Sequence, residues 1–190
     1  MLLKSGTVVV ATLIAAPSSI RNKDHQCDSE MHLSMKGKQM YFGMKAHIGV
    51  DSESGLVRTG RGTSGNVHDV IEGNSLLHGQ EIMVFEDAGY QGIRKRPDDK
   101  DDVTWQVAMR PHKRSALNLE NAADALIDKA EKIKAGIRAK VEHSFPVIKR
   151  QFGFLKVRYR GLKKYTAQLV RLFVLSTLWM VSGKLNGVSE

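Results

Sequence analysis

The run Thr7-Val-Val-Val-Ala-Thr-Leu-Ile14 constrains the fold more than any other segment of the chain. It is nearly all apolar, and most of its side chains are β-branched, stiff at χ1 and suited to a pleated surface. No polar residue alternates with the apolar ones. Both faces of such a strand need cover, which places it in the middle of a sheet with layers on either side.

The rest of the chain supplies those layers. Met40 to Val50 reads as a second strand, Asp51 to Gly55 as a turn and Leu56 to Thr63 as a third strand hairpinned to the second. Arg21 to Lys38 is polar without a period and reads as a loop. A helix is expected from Asn66 to His78, with Asn66 as N-cap and Asp69 three residues on. Glu81 to Glu86 and Val103 to Met109 read as further strands, separated by the Asp87-Ala-Gly-Tyr-Gln-Gly92 turn and the acidic loop Asp98 to Asp102. Leu119 to about Gln151 is helical, with Gly136 and Pro146 as weak points, and Phe154 to Tyr159 is ambiguous. Lys164 to Leu185 is apolar all round and reads as a buried terminal helix. Leu172 to Gly183, its uncharged stretch, is shorter than the roughly 20 residues a membrane span needs, so no membrane partner is expected. The order predicts an α/β fold with a mixed five-stranded sheet flanked by helices. No linker or repeat is visible, so residues 1–190 read as a single domain.

Charge narrows the partner. The net charge is +9, yet Lys129 to Lys164 alone holds twelve Lys and Arg against two acids, Glu131 and Glu142. A solvated helix face usually mixes signs, whereas a basic stripe confined to one region marks a polyanion partner. The single cysteine, Cys27, excludes a disulfide framework and a Cys-rich zinc site, and fits a reducing cytosol.

Two acids stand out. Asp87 follows an apolar strand and precedes a glycine turn, at the carboxyl end where α/β folds place ligands; it also suits a turn aspartate capping Gly89. Arg138, Glu142, Phe145 and Lys149 are spaced +4, +3 and +4, so one continuous helix would present them on one face. That pattern is an i,i+4 salt-bridge ladder, or a carboxylate for a divalent cation with flanking bases for phosphates.

Together, Asp87-Ala-Gly-Tyr-Gln-Gly92 and Arg138-x3-Glu142-x6-Lys149 resemble the catalytic region of bacterial insertion-sequence DDE transposases. The similarity is strongest to the insertion-sequence-five group. Tyr41 to Asp51, Val141 to Gly161 and Thr166 to Met180 extend it over essentially the whole chain. The resemblance implies an RNase H-like (retroviral-integrase-like) domain, with Asp87 and Glu142 as catalytic, metal-binding acids. It implies two Mg²⁺ or Mn²⁺ ions and DNA strand chemistry on transposon ends and target. Arg138 and Lys149 match basic residues of the signature. Arg150, Lys156, Arg158 and Arg160 join them as expected DNA contacts, with nucleoid-associated cytoplasm as the expected location and a homo-oligomer left open.

The chain departs from that family at three places. The strand position of the first acid, in a stretch resembling Val-Val-Asp-Ala-Thr, is Val10. A valine cannot ligate metal, and none of Asp24, Asp28 and Asp51 lies mid-strand, where a bridging carboxylate belongs. The signature's tyrosine is Ala135. The helical region that helps recognise transposon ends is not seen ahead of the first strand, so a C-terminal piece is expected. Transposase and non-enzymatic DNA-binding remnant therefore stand as alternatives, with RNA binding behind them for want of an exposed aromatic motif. His25-x-Cys27-x4-His32 is at most half a zinc site. His68 and Asp69 are adjacent, so a helix would point them apart. Trp105 and Trp179 read as core.

Overall fold

The computed structural model describes residues 6–18, 23, 25–96, 102–141 and 143–185. The β-branched run lies in β1 (Gly6–Ala15), and β1 is central as its composition requires. It pairs antiparallel with β3 (Gln39–Asp51) on one side and parallel with β5 (Met83–Glu86) on the other. The fold is a mixed α/β layer structure whose sheet has the order β2-β3-β1-β5-β6, with β4 (Val57–Ser64) also on β3 and β6 (Thr104–Val107) parallel to β5.

The sheet has six strands, not five. The extra one, β2 (His32–Lys36), lies inside the segment expected to be a loop, and pairs with the first residues of β3. A glycine turn makes this possible: Gly37 sits at φ 64°, in the left-handed region, between Lys36 and Gln39. Leu33 and Met35 alternate with polar neighbours in β2, but both are exposed.

Alternation along β1 divides the core. Val8 and Ile14 are buried with Phe85, Val141, Phe145, Ile148, Tyr165 and Phe173 on one face, and Val10 packs against the same set. Val9 is buried on the other face with Leu76, Val84, Tyr90, Ile93 and Trp105. Fully burying a valine contributes about 1.5–3 kcal/mol, so Val8 and Val9 each stabilise a different side of the sheet.

On the Val9 face, the expected Asn66–His78 helix is only α1 (Asp69–Glu72) and a 3₁₀ turn, Asn74–Leu76. Asn66 does not cap it. The cap is His68, whose ring Nδ1 accepts from Val70 N at 3.4 Å, and Gly73 ends the helix after one turn.

On the Val8 face lie α3 (Ala122–Val141), a helical turn α4 (Ser144–Pro146) running into a π-turn (Val147–Gln151), and α5 (Leu162–Leu185). Gly136 is absorbed inside α3, whereas His143, a turn residue, interrupts the helix ahead of Pro146. A short α2 (Pro111–Ser115), with proline at its first position, precedes α3 and was not expected.

α5 is not buried all round. Tyr165, Leu169, Phe173 and Ser176 face β4 and the core, while Val170, Val174, Leu175, Leu178 and Trp179 are exposed. Its apolar circumference predicts burial all round, but among the described residues only one side is covered. Trp105 is core; Trp179 is 43% exposed. By length and composition alone Leu162–Gly183 could cross a membrane, and it is the one described helix that could.

Candidate nucleic-acid site at the carboxyl end of the central strands

Asp87 immediately follows β5. Its Oδ1 accepts from Gly89 N at 2.6 Å, capping the 3₁₀ turn Ala88–Tyr90. The capping role is real, and it leaves the carboxylate exposed at the strand end. In the parallel ladder Val8 is level with Phe85. Carrying that register forward two residues sets Val10 level with Asp87. The β1 position that this extension brings beside Asp87 is thus apolar.

Thr12 lies two residues beyond Val10 on the same face, and the ammonium of Lys149 donates to its Oγ1 at 3.0 Å. The same ammonium is 5.9 Å from the centre of the Phe145 ring, within range of a cation–π contact. Lys149 reaches β1 from the π-turn, not from a helix continuous with Arg138. The one-face pattern of 138, 142, 145 and 149 is therefore not realised as a straight helix, because His143 is a turn residue between α3 and α4. Arg138 is half-buried on α3, and its Nε is buried without a hydrogen-bond partner. Glu142 lies outside the described residues, as does most of the acidic loop expected at 98–102.

The expected DNA contacts divide. Arg150 and Lys156 are exposed, and Lys156 sits beside Ala15, the last residue of β1, where Val157 N donates to Ala15 O at 2.8 Å. Arg158 and Arg160 are also exposed but hold loops: Arg158 donates to Gly153 O at 3.4 Å, and Arg160 to Gln26 O at 3.1 Å. Within α3, Lys132 pairs with Asp128 and Lys134 with Glu131 at 2.9 and 2.8 Å. Part of the basic stripe is thus neutralised internally.

None of the acids considered as substitutes for Val10 reaches it. Asp51 pairs with Thr7 at the opposite end of β1 and is buried against Arg58. Asp28 accepts from Gly161 N at 2.7 Å, and Asp24 lies outside the described residues. The acid that sequence reasoning missed is Asp69. A Cβ on Gly89 would lie 2.9 Å from Asp87 Oδ1 and 3.8 Å from Asp69 Oδ2, so both carboxylates border the same turn. Asp69 is already matched by Lys45, whose Nζ is 2.9 Å away. Beneath them Tyr90 is buried, and burial, followed by Asp69, Glu86, Asp87 and Glu72, pushes its hydroxyl well above the ordinary range. Its composition as a capping residue masked Asp69; only the fold shows what it borders.

The other weak motifs separate. His32 Nδ1 meets Ser64 Oγ at 2.7 Å, whereas Cys27 Sγ points to Ser18 O at 3.3 Å, so these side chains do not converge. His68 caps α1 while Asp69 turns to Lys45.

The transposase DDE domain family model matches residues 3–178, and the chain belongs to that family. No solved structure matches it. The family acts on DNA and generally works with divalent metal ions. Such ions take hard oxygen ligands, chiefly carboxylates. Among the described residues the carboxylate set is incomplete: position 10 is a valine, the nearby Asp69 is held by an ammonium, and Lys149 places a second ammonium two residues from Val10. No group of three His, Cys, Asp or Glu that could hold a metal is present among those residues.

Proposed function

We propose that this chain is an insertion-sequence transposase of the insertion-sequence-five group, of bacterial origin. On this reading its domain is RNase H-like, and it binds DNA but has lost, or nearly lost, strand cleavage. The observation that carries the reading is the valine at position 10, two residues beyond the Val8–Phe85 pair of the parallel ladder, as Asp87 is on the neighbouring strand. The family resemblance implies a carboxylate shared between two metal ions at that strand position. Asp87 and Glu142 are the remaining acids of the set; Arg138, Lys149, Arg150 and Lys156 are the cations that would hold phosphates. A chain that keeps the DNA surface and lacks cleavage would act as a DNA-binding remnant and interfere with an intact transposase by mixed assembly. Cytoplasmic, nucleoid-associated residence follows from the same reading.

Mn²⁺ binding and DNA nicking, measured in parallel for this chain and for Val10→Asp, test it. Tight Mn²⁺ binding and nicking by Val10→Asp alone would show that one carboxylate was lost from an otherwise intact site. Inactivity of both would favour the remnant. Nicking by the chain as it stands, lost in Asp69→Asn, would make Asp69 the completing acid and overturn the reading of Val10.

A further inference from the structure

We propose that a cleft between the Asp87 turn and α3, at the edge of the basic stripe read from the sequence, holds a segment of DNA backbone. Lys113 of α2 and Lys134 of α3 line it, and Arg110 follows the lining residue Met109 in the chain. The proposal rests on the DNA-binding reading above and names a surface for it.

The cleft has a volume of about 470 Å³ and is bordered by Gln91, Met109, Lys113, Ala130, Glu131 and Lys134. Gln91 is four residues from Asp87 and ends the turn that Asp87 caps. The opposite wall is α3. Because β5 and β6 run parallel, with Glu86 level with Val107, α2 leaves the sheet at the same end as Asp87. The cleft therefore adjoins the candidate site rather than lying elsewhere on the molecule.

Its charge is unbalanced for a structural reason. The two nearby acids are already matched. Asp128 is held by Arg114 and Lys132 at 2.8 and 2.9 Å, and those two contacts lower its carboxyl below the usual range. Glu131 is buried; burial alone would raise its pKa, but bonds from Lys134 and from Met109 N at 2.9 Å outweigh this and hold it ionised. Arg110 and Lys113 are exposed and have no acidic partner among the described residues. These cations are free to meet anions from outside. The floor supplied by Ala130 and the Met109 region is apolar, which suits the sugar edge between phosphates. A polyphosphate strand is the ligand that matches exposed cations beside a partly apolar groove.

The test is DNA affinity of the full chain for a short duplex, over a series of salt concentrations. The unmodified chain, Arg110→Gln/Lys113→Gln and Lys95→Gln are compared. Lys95 is an exposed cation of the 3₁₀ turn Ile93–Lys95, and its variant controls for the loss of one positive charge as such. Each lost phosphate contact should flatten the dependence of log K on log salt by about 0.9, so the double variant should lose nearly 2 from the slope and roughly ten- to hundredfold in affinity near 0.1 M salt. Lys95→Gln should leave both unchanged. Equal effects of the two variants, or none from the double variant, would overturn the cleft while leaving DNA binding standing. A larger loss for single-stranded RNA than for duplex DNA would assign the cleft to RNA instead. Failure of the unmodified chain to bind DNA at low salt would remove the DNA-binding reading itself.

Discussion

Lys149 donates to Thr12 at 3.0 Å, joining the π-turn to the central strand across 137 residues of sequence. The bond fixes where the turn after α3 meets β1, at the strand half that carries Val10. A hydrogen bond from a charged donor contributes about 1.5 kcal/mol or more when its surroundings exclude water. Thr12→Val and Lys149→Met should each lower stability by about 1 kcal/mol. The double variant should lose less than the sum by about 0.5 kcal/mol or more, since both remove one interaction. Urea unfolding of the four proteins measures this; strict additivity would mean the two side chains are not coupled.

His47 gives the fold a pH dependence in the neutral range. It is fully buried, with Nε2 2.7 Å from Thr63 Oγ1, and burial lowers its pKa from 6.5 to about 4 against the opposing pull of Asp69 and Glu72. The unfolded chain therefore takes up a proton before the folded one does. Stability should be full above about pH 6.5 and fall as pH drops toward 4, by about 3 kcal/mol at most. Urea midpoints between pH 8 and 5 should decline for the protein and stay flatter for His47→Gln. Parallel curves would show that another group carries the effect.

Asp51 governs the acid limb. Burial alone would raise its carboxyl, but Ser54, through its N–H and its hydroxyl, and Arg58 at 3.0 Å outweigh this and hold it below 3.8. Its contribution is present above the unfolded value and is lost as pH falls through the lower folded one. Asp51→Asn should make the loss of stability below about pH 4 shallower. At pH 7 it should cost about 3 kcal/mol, because Arg58 is left buried without its partner. A variant as stable as the parent at pH 7 would contradict this account.

Gly62 lets α5 approach β4. A Cβ there would lie 2.5 Å from Tyr165 Cε1 and 2.7 Å from Thr166 Oγ1, and Tyr165 is fully buried and unable to swing away. Gly62→Val should cost about 1–3 kcal/mol by pushing α5 off the sheet. Circular dichroism should show helix loss on milder heating. Gly79→Ala is a poorer control than it looks, since φ 89° there disfavours any side chain despite open space.

How far the fold could be read beforehand depended on whether one element's neighbours were needed to interpret it. β1 was legible because an unbroken apolar run has few stable placements. β2 was missed because five residues with two apolar side chains look like any polar loop until Gly37 turns them back along β3. α5 was misread because composition cannot tell a helix covered on all sides from one covered on a single side. At the site, Asp87 was legible from a strand followed by an Asp-x-Gly turn. The relation of Val10 to Asp87 is a register, fixed only when β1 and β5 pair. Lys149 was expected on a continuous helix and reaches the strand from a separate turn, so its target, Thr12, had no local signal at all.

Val10 has one more consequence, which concerns heredity rather than chemistry. Valine and aspartate codons can differ by a single base, and the two side chains are close in size. Position 10 is only partly buried, at the rim of the sheet's core, so the exchange asks little of the packing around it. On the reading proposed above, a lineage with GTT or GTC at this position would stand one base change from a carboxylate there.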